Sequence, residues 1–240
     1  MKLKNKKVVV TGGGSGYGKG IAAALAAAGA KVWITGRDGA KLAKAAQAVG
    51  ATPIVADVTR GEDWERVFKT VGAVDVLVNN AGAGVKIADV AEQSDAEISE
   101  SIAVNLTGAI MGCARAAKSM KARGKGGAIV NVSSVCAQHA WPGWSVYGAA
   151  KAGLLKFSHG LHVELRPFGV KVTCVIPSWG RTRFNRAARI VGASEDGALA
   201  KKCIAPEELG AIVRGILEQP DHLTVPELTV QPMIQDINPM

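Results

Sequence analysis

Tyr147 and Lys151 stand four residues apart in a segment of helical composition, Ser145-Val146-Tyr147-Gly148-Ala149-Ala150-Lys151. On a helix that spacing sets both side chains on one face, about 6 Å apart along the axis. A cation there favours the phenolate and lowers the tyrosine pKa toward the working pH, which suits a general acid/base. The pattern YxxxK is common by itself, so its surroundings matter. Ser134 lies thirteen residues earlier, in the Ser133-Ser134 pair that closes a β-branched run. Strand C-termini of this kind are where doubly wound sheets hold ligands.

A second cluster opens the chain. Val8-Val9-Val10 runs into Thr11-Gly12-Gly13-Gly14-Ser15-Gly16-Tyr17-Gly18 and then into an Ala-rich stretch. A glycine-dense turn between a strand and a helix lets the backbone approach a pyrophosphate, and the helix N-terminus supplies free N–H groups. A P-loop is excluded because Gly20, which has no hydroxyl for Mg²⁺, follows Lys19. The GxGxxG spacing fails at Lys19, whereas TGxxxGxG fits with Gly12, Gly16 and Gly18. The next β-branched run ends Ile34-Thr35-Gly36-Arg37-Asp38. Gly36 stands about where an acid would hold the adenosine ribose. Arg37 offers a bidentate fork for a 2′-phosphate, which favours NADP over NAD. Asp38 reads as the cap of the following helix.

These residues need strands and helices to carry them. Lys7–Val10, Lys31–Thr35, Pro53–Ala56, Val74–Val78, Ala128–Val132, Lys171–Ile176 and Glu227–Gln231 read as strands. Most are apolar throughout, as parallel strands covered on both faces are. Helical composition spans Gly18–Ala28, Gly39–Val49, Glu62–Val71, Asp95–Ala122, Ser145–Leu165 and Pro206–Glu218. Alternation of this kind predicts right-handed crossovers and an α/β fold: one Rossmann-like, doubly wound parallel sheet of about seven strands. The 240 residues show no internal repeat or linker, so residues 1–240 read as one domain.

Composition bounds the function. With 48% hydrophobic and 20% charged residues the chain is neither disordered nor collagen-like. No apolar run approaches a membrane span, and the basic start leads into too short an apolar run for a signal peptide. Cys113, Cys136, Cys174 and Cys203 form no CxxC pair, so a metal site is not expected and a reducing cytoplasm is. The net charge of +9 raises the question of a polyanionic partner. Four lysines sit in Met1–Lys7, and Ile204–Met240 carries one basic residue against six acidic ones. An excess so dispersed makes no stripe for a nucleic-acid backbone, and neither nucleic acid nor membrane is expected as a partner.

Taken together, the motifs resemble the short-chain dehydrogenase/reductase family in its compact form, over essentially the whole chain. The resemblance rests on Thr11–Gly18, Asp57-Val58, Asn79-Asn80-Ala81-Gly82, Asn105 in Val-Asn-Leu-Thr-Gly, Ser134, Tyr147 with Lys151, and Pro177 through Thr182. It implies an oxidoreductase moving a hydride between NADP (or NAD) and a small alcohol or carbonyl compound. Tyr147 would exchange a proton with the substrate oxygen. Lys151 would depress its pKa and bind the nicotinamide ribose. Ser134 would hydrogen-bond the reacting oxygen, and Asn105 would hold a water that connects Lys151 to solvent. Gly12, Gly14, Ser15, Gly16, Tyr17 and Gly18 would form the cofactor turn. Asp57 and Val58 would take the adenine, Asn79 would tie the sheet together, and Ala81 and Gly82 would pass beneath the cofactor. Pro177, Gly180 and Thr182 would meet the nicotinamide end. A homotetramer or homodimer is also implied, with Asp95–Ala122 and Ser145–Leu165 packing across subunits.

The chain departs from the family pattern in places. Tyr17 stands where Ile or Val is common, Pro177-Ser178 replaces Pro-Gly, and Gly180 replaces an aliphatic residue. Ser15 replaces the basic residue that many NADP-using members carry. His139, Trp141, Trp144 and Trp179 fall in segments resembling the family's pocket walls, and indole faces stack on polyol-like rings. Residues 178–203 form the expected substrate-covering segment, in which Arg181, Arg183, Arg186 and Arg189 suit an anionic substrate. The alternatives are a catalytically silent nucleotide sensor on the same fold and an epimerase or dehydratase using the same Tyr/Lys pair.

Overall fold

The structure is a computed structural model that describes residues 1–184, 188 and 200–235. Seven strands form one parallel sheet: β1 (Lys7–Thr11), β2 (Lys31–Gly36), β3 (Thr52–Val55), β4 (Val76–Asn79), β5 (Gly127–Val132), β6 (Val170–Pro177) and β7 (Glu227–Val230). Their spatial order is β3-β2-β1-β4-β5-β6-β7, the Rossmann-like arrangement expected. The order in which strands are added reverses at β1 and β4, and the crevice at the C-terminal ends of those parallel strands is the natural ligand site.

The apolar runs explain themselves in this sheet. Val8 and Val10 enter one core with Ile21, Leu25, Leu209 and Val213. Val9 points to the opposite core, with Trp64, Leu77, Met120, Ile129 and Leu161. Both faces of β1 are therefore covered, and its middle residues Val8, Val9 and Val10 are all apolar. Burial of each such Val, Leu or Ile side chain contributes roughly 1.5–3 kcal/mol.

Between the strands lie α1 (Gly16–Ala27), α2 (Gly39–Val49), α3 (Gly61–Val71), α4 (Asp95–Ile102), α5 (Gly108–Arg123), α6 (Ser145–Leu165) and α7 (Pro206–Glu218). Asp38 caps α2, its carboxylate accepting from Lys41 N at 3.0 Å. One expectation needs correction. Asp95–Ala122 is not one uniform α-helix, because Ala103–Thr107 winds as a π-helical turn between α4 and α5. The turn contains Asn105, whose Nδ2 donates to Ser101 O (3.0 Å) and Ala83 O (2.8 Å). Those side-chain bonds compensate the widened helix, and such bulges recur at functional sites.

Candidate active site

The C-terminal ends of β1 to β6 open into a cavity of about 580 Å³. At one end the loop after β1 brings Gly12, Ser15, Gly16 and Tyr17 to its wall. Gly12 has φ +65°, a left-handed conformation that favours glycine. A Cβ on Gly18 would lie 2.4 Å from the Gly12 carbonyl oxygen, so the TGxxxGxG turn closes on itself. Ser15 stands at the N-cap of α1 without a side-chain capping bond, leaving the first amides of the helix to an incoming anion. The ends of β2 and β3 add Gly36, Arg37, Asp57 and Val58. Asp57 Oδ1 accepts from the Thr59 backbone N–H (2.9 Å) and hydroxyl (2.8 Å), which fixes the carboxylate.

At the other end α6 and the segment after β5 place Ser134, Tyr147 and Lys151 on the same cavity. Lys151 is pinned from both sides. Its Nζ donates to the Val132 carbonyl at 3.0 Å, and its own carbonyl accepts from Ser133 Oγ at 2.9 Å. The Nζ lies 5.7 Å from the centroid of the Tyr147 ring. Tyr147 is only 7% exposed and hydrogen-bonds with the Ser134 side chain.

Electrostatics here differ from the sequence expectation. Burial pushes the Tyr147 phenol up from its ordinary value, and the Ser134 hydrogen bond only partly opposes it. The shift keeps the resting tyrosine a neutral phenol, the form that can donate a proton. Lys151 is lowered to about 8, again chiefly by burial. The cause in both cases is loss of water, which disfavours the charged form of each group.

Asn105 is 1% exposed and stands behind the cavity rather than in its wall. Its Oδ1 accepts from Ala83 N at 3.1 Å. A Cβ on Gly82 would lie 2.8 Å from that oxygen and 3.4 Å from Lys151 Nζ, so Asn105 and Lys151 both face the side of Gly82 that a side chain would fill. Ala81, Gly82, Trp141, Trp144, Pro177, Trp179, Gly180, Thr182 and Arg183 all line the cavity. Gly14, Gly18, Asn79 and His139 do not. Asn79 is buried and donates to Asn131 Oδ1 at 2.9 Å, tying β4 to β5. Neighbouring Asn80 lines the cavity instead, its Nδ2 donating to Thr11 O at 3.0 Å. Arg181 turns away to pair with Glu207 of α7 at 2.9 Å. Arg186 and Arg189 lie outside the described residues.

Two departures noted in the sequence prove to be one. A Cβ on Gly180 would fall 2.1 Å from Tyr17 Oη, so the Tyr17 phenol fills the room that a side chain at 180 would need. The hydroxyl points to the Ser178 carbonyl, 3.4 Å away. Ser178 Oγ in turn donates to Gln235 Oε1, which also accepts from Trp179 N at 3.2 Å.

Sequence reasoning missed Lys41, Cys136, Phe184 and Gln235, all of which line the cavity. Lys41 was within reach, since it follows Arg37 by four residues. Phe184 stands two residues after Thr182, but nothing in its own type marks it. Gln235 arrives from 57 residues beyond Ser178, and no local pattern announces it.

A family model described as short chain dehydrogenase matches residues 6–190. An uncharacterized oxidoreductase of Staphylococcus saprophyticus subsp. saprophyticus is 35% identical over 245 residues, covering 97% of this chain and 100% of that protein. Among solved structures, the closed form of serine dehydrogenase complexed with NADP⁺ superposes with a TM-score of 0.89 at 25% identity, over 98% of each chain. A 3-ketoacyl-(acyl-carrier-protein) reductase from Brucella melitensis complexed with NADH superposes with a TM-score of 0.85 at 28% identity, over 95% of this chain and 98% of that one.

Proposed function

The chain belongs to the short-chain dehydrogenase/reductase family of oxidoreductases, and from that membership we propose that it interconverts a secondary alcohol and a ketone, or an aldehyde and its alcohol, with NADP preferred over NAD. The observation that carries the reading is the convergence of Ser134, Tyr147 and Lys151 on the same cavity as the uncapped amides of α1. The residues fit a dinucleotide: Gly12, Gly13, Gly14 and Gly16 let the backbone approach a pyrophosphate, and the first amides of α1 have no side-chain cap. When bound, the nicotinamide supplies the hydride. Tyr147 gives its proton to the substrate oxygen in reduction, and Ser134 hydrogen-bonds that oxygen. Lys151, held by Val132 and next to the tyrosine ring, stabilises the phenolate that the transfer leaves. Asn105, a short step behind Gly82, positions the route by which Lys151 exchanges protons with solvent.

NADP preference rests on the end of β2. Gly36 leaves no acid there, and Arg37 and Lys41 both line the wall. Arg37 is exposed at the rim, where a guanidinium fork fits a phosphate. Charge-assisted hydrogen bonds of this type contribute roughly 1.5–3 kcal/mol. Arg37→Asp should therefore raise the KM for NADPH by roughly 10- to 100-fold and leave or lower the KM for NADH. Initial rates with both cofactors test this, and an unchanged NADPH:NADH ratio would refute the role of Arg37.

We read residues 1–240 as one functional unit, and the segment from Ser178 to Phe184 as the start of its substrate cover. Free thiols on Cys113, Cys136 and Cys174 fit a reducing compartment such as the cytoplasm. Family membership suggests a homodimer or homotetramer, with Asp95–Ala122 and Ser145–Leu165 packing across subunits. Among the described residues no helix is long and apolar enough to cross a membrane.

A further inference from the structure

The turn that follows β3 carries Asp57 and Val58 to the cavity wall, and side chains from the start of α3 reach back to hold it. The Asp57 backbone N–H donates to Asp63 Oδ2 at 2.7 Å. The Val58 carbonyl accepts from Trp64 Nε1 at 2.9 Å. Arg66 closes the arrangement: its Nη1 donates to Asp63 Oδ1 and its Nη2 to the Val55 carbonyl, each at 2.6 Å. Side chains from a single turn of helix therefore fasten the backbone from Val55 to Val58.

Asp63 is 8% exposed and Trp64 2%, and neither lines this cavity. A buried carboxylate is costly unless its oxygens are bonded, and both of these are. The Asp57 N–H is the largest cause that holds the Asp63 carboxyl below the usual carboxylate range. Trp64 lies against α5, where a Cβ on Gly112 would fall 2.4 Å from the indole. A Cβ on Gly108, one helical turn earlier, would fall 2.8 Å from the Val58 carbonyl oxygen. The turn is thus pressed between α3 and α5 and cannot shift without losing these bonds. Thr59 already engages Asp57 Oδ1, which leaves Oδ2 for a ligand.

We infer that Asp63 and Trp64 are positioning residues for the adenine end of the dinucleotide, acting through the backbone of Asp57 and Val58. The inference rests on the proposed dinucleotide site and adds to it two residues that stand behind the cavity wall. The Asp63 carboxylate orients the Asp57 amide, and with it the direction in which the Asp57 side chain leaves the turn. The Trp64 N–H orients the Val58 carbonyl and so keeps the Val58 side chain at the wall. Ser134, Tyr147 and Lys151 line the other end of the cavity, so the effect is confined to the adenosine half of the ligand.

Affinities measured on the full chain test this without a known substrate: NADPH by its fluorescence, and 2′,5′-ADP by calorimetry (NADH and 5′-AMP should those bind the parent more tightly). Asp63→Ala is expected to weaken both ligands by the same factor, about tenfold, the scale of one hydrogen bond to a charged group. Asp63→Asn, whose amide oxygen can still accept from the Asp57 N–H, should stay within about threefold of the parent. Trp64→Phe keeps a ring against Gly112 but loses the bond to the Val58 carbonyl, and should weaken both ligands about fivefold. It carries the test if Asp63→Ala does not fold. An unchanged 2′,5′-ADP affinity, an Asp63→Asn variant as weak as Asp63→Ala, or an NADPH loss several times the 2′,5′-ADP loss overturns the inference and leaves the dinucleotide reading intact. A parent chain that binds neither cofactor overturns that reading, and the inference with it.

Discussion

Tyr147→Phe lowers kcat by about 10²- to 10⁴-fold, the usual weight of one positioned acid/base group. At the midpoint this is about 4 kcal/mol of transition-state stabilisation. The substitution removes one oxygen from a ring that keeps its contacts with Trp144 and Phe184, so the wall of the cavity stays in place. The loss should fall on kcat and on kcat/KM alike, because the missing interaction is made only as charge develops on the substrate oxygen. Steady-state rates at 340 nm measure it. A variant within threefold of the parent would remove Tyr147 from the chemistry and leave Ser134 as the group to reconsider.

The second large effect belongs to Lys151. Its pKa is lowered from 10.5 to about 8 by burial, so the ammonium proposed to stabilise the phenolate loses its proton at a mildly alkaline pH. For the reductive direction, kcat/KM should be flat below about 8 and fall about tenfold per unit above it. Lys151→Ala should cost about 10²- to 10³-fold at pH 7 and abolish that alkaline limb. Lys151→Arg should also lack the limb, because a guanidinium stays charged throughout. A limb that persists in both variants would assign the ionisation elsewhere. Stability has the opposite sense. The unfolded chain holds the lysine proton up to its ordinary pKa of 10.5, while the folded chain releases it from about 8 upward. The unfolded state therefore binds more protons in that window, and stability rises with pH through it; below about 8 the cost of the buried cation is fully present. Lys151→Met should accordingly raise the melting temperature at pH 7 while it destroys activity, a trade expected of a strained functional residue.

Much of this site was legible because its chemistry is local. The glycine turn, the Tyr147–Lys151 spacing and the Arg37 position each occupy a few consecutive residues whose types carry their own geometry. The parallel sheet was legible because Val8, Val9 and Val10 must all be buried, which only two covered faces allow. Features made by distant partners were not legible. The π-helical turn at Asn105 depends on Ala83, 22 residues away, and a helical composition looks the same with or without it. Tyr17 and Gly180 each read as an isolated oddity until the fold set one against the other. The Tyr147 pKa ran opposite to expectation for a related reason. Spacing reveals the nearby cation, but not the rings of Trp144 and Phe184 that exclude water.

In the proposed reaction this cavity brings a nicotinamide C4 hydrogen to a carbonyl carbon while Tyr147 serves the oxygen. Reduction of a panel of ketones and aldehydes with NADPH carrying deuterium at C4, prepared separately for each face, is the sharpest test. One of the two labelled forms is expected to deliver its deuterium to the carbinol carbon, in step with the fall in absorbance at 340 nm, and Tyr147→Phe is expected to slow the delivery by the factor given above. A carbinol that carries only solvent hydrogen, or NADPH that binds yet transfers from neither face to any carbonyl in a broad panel, would contradict it.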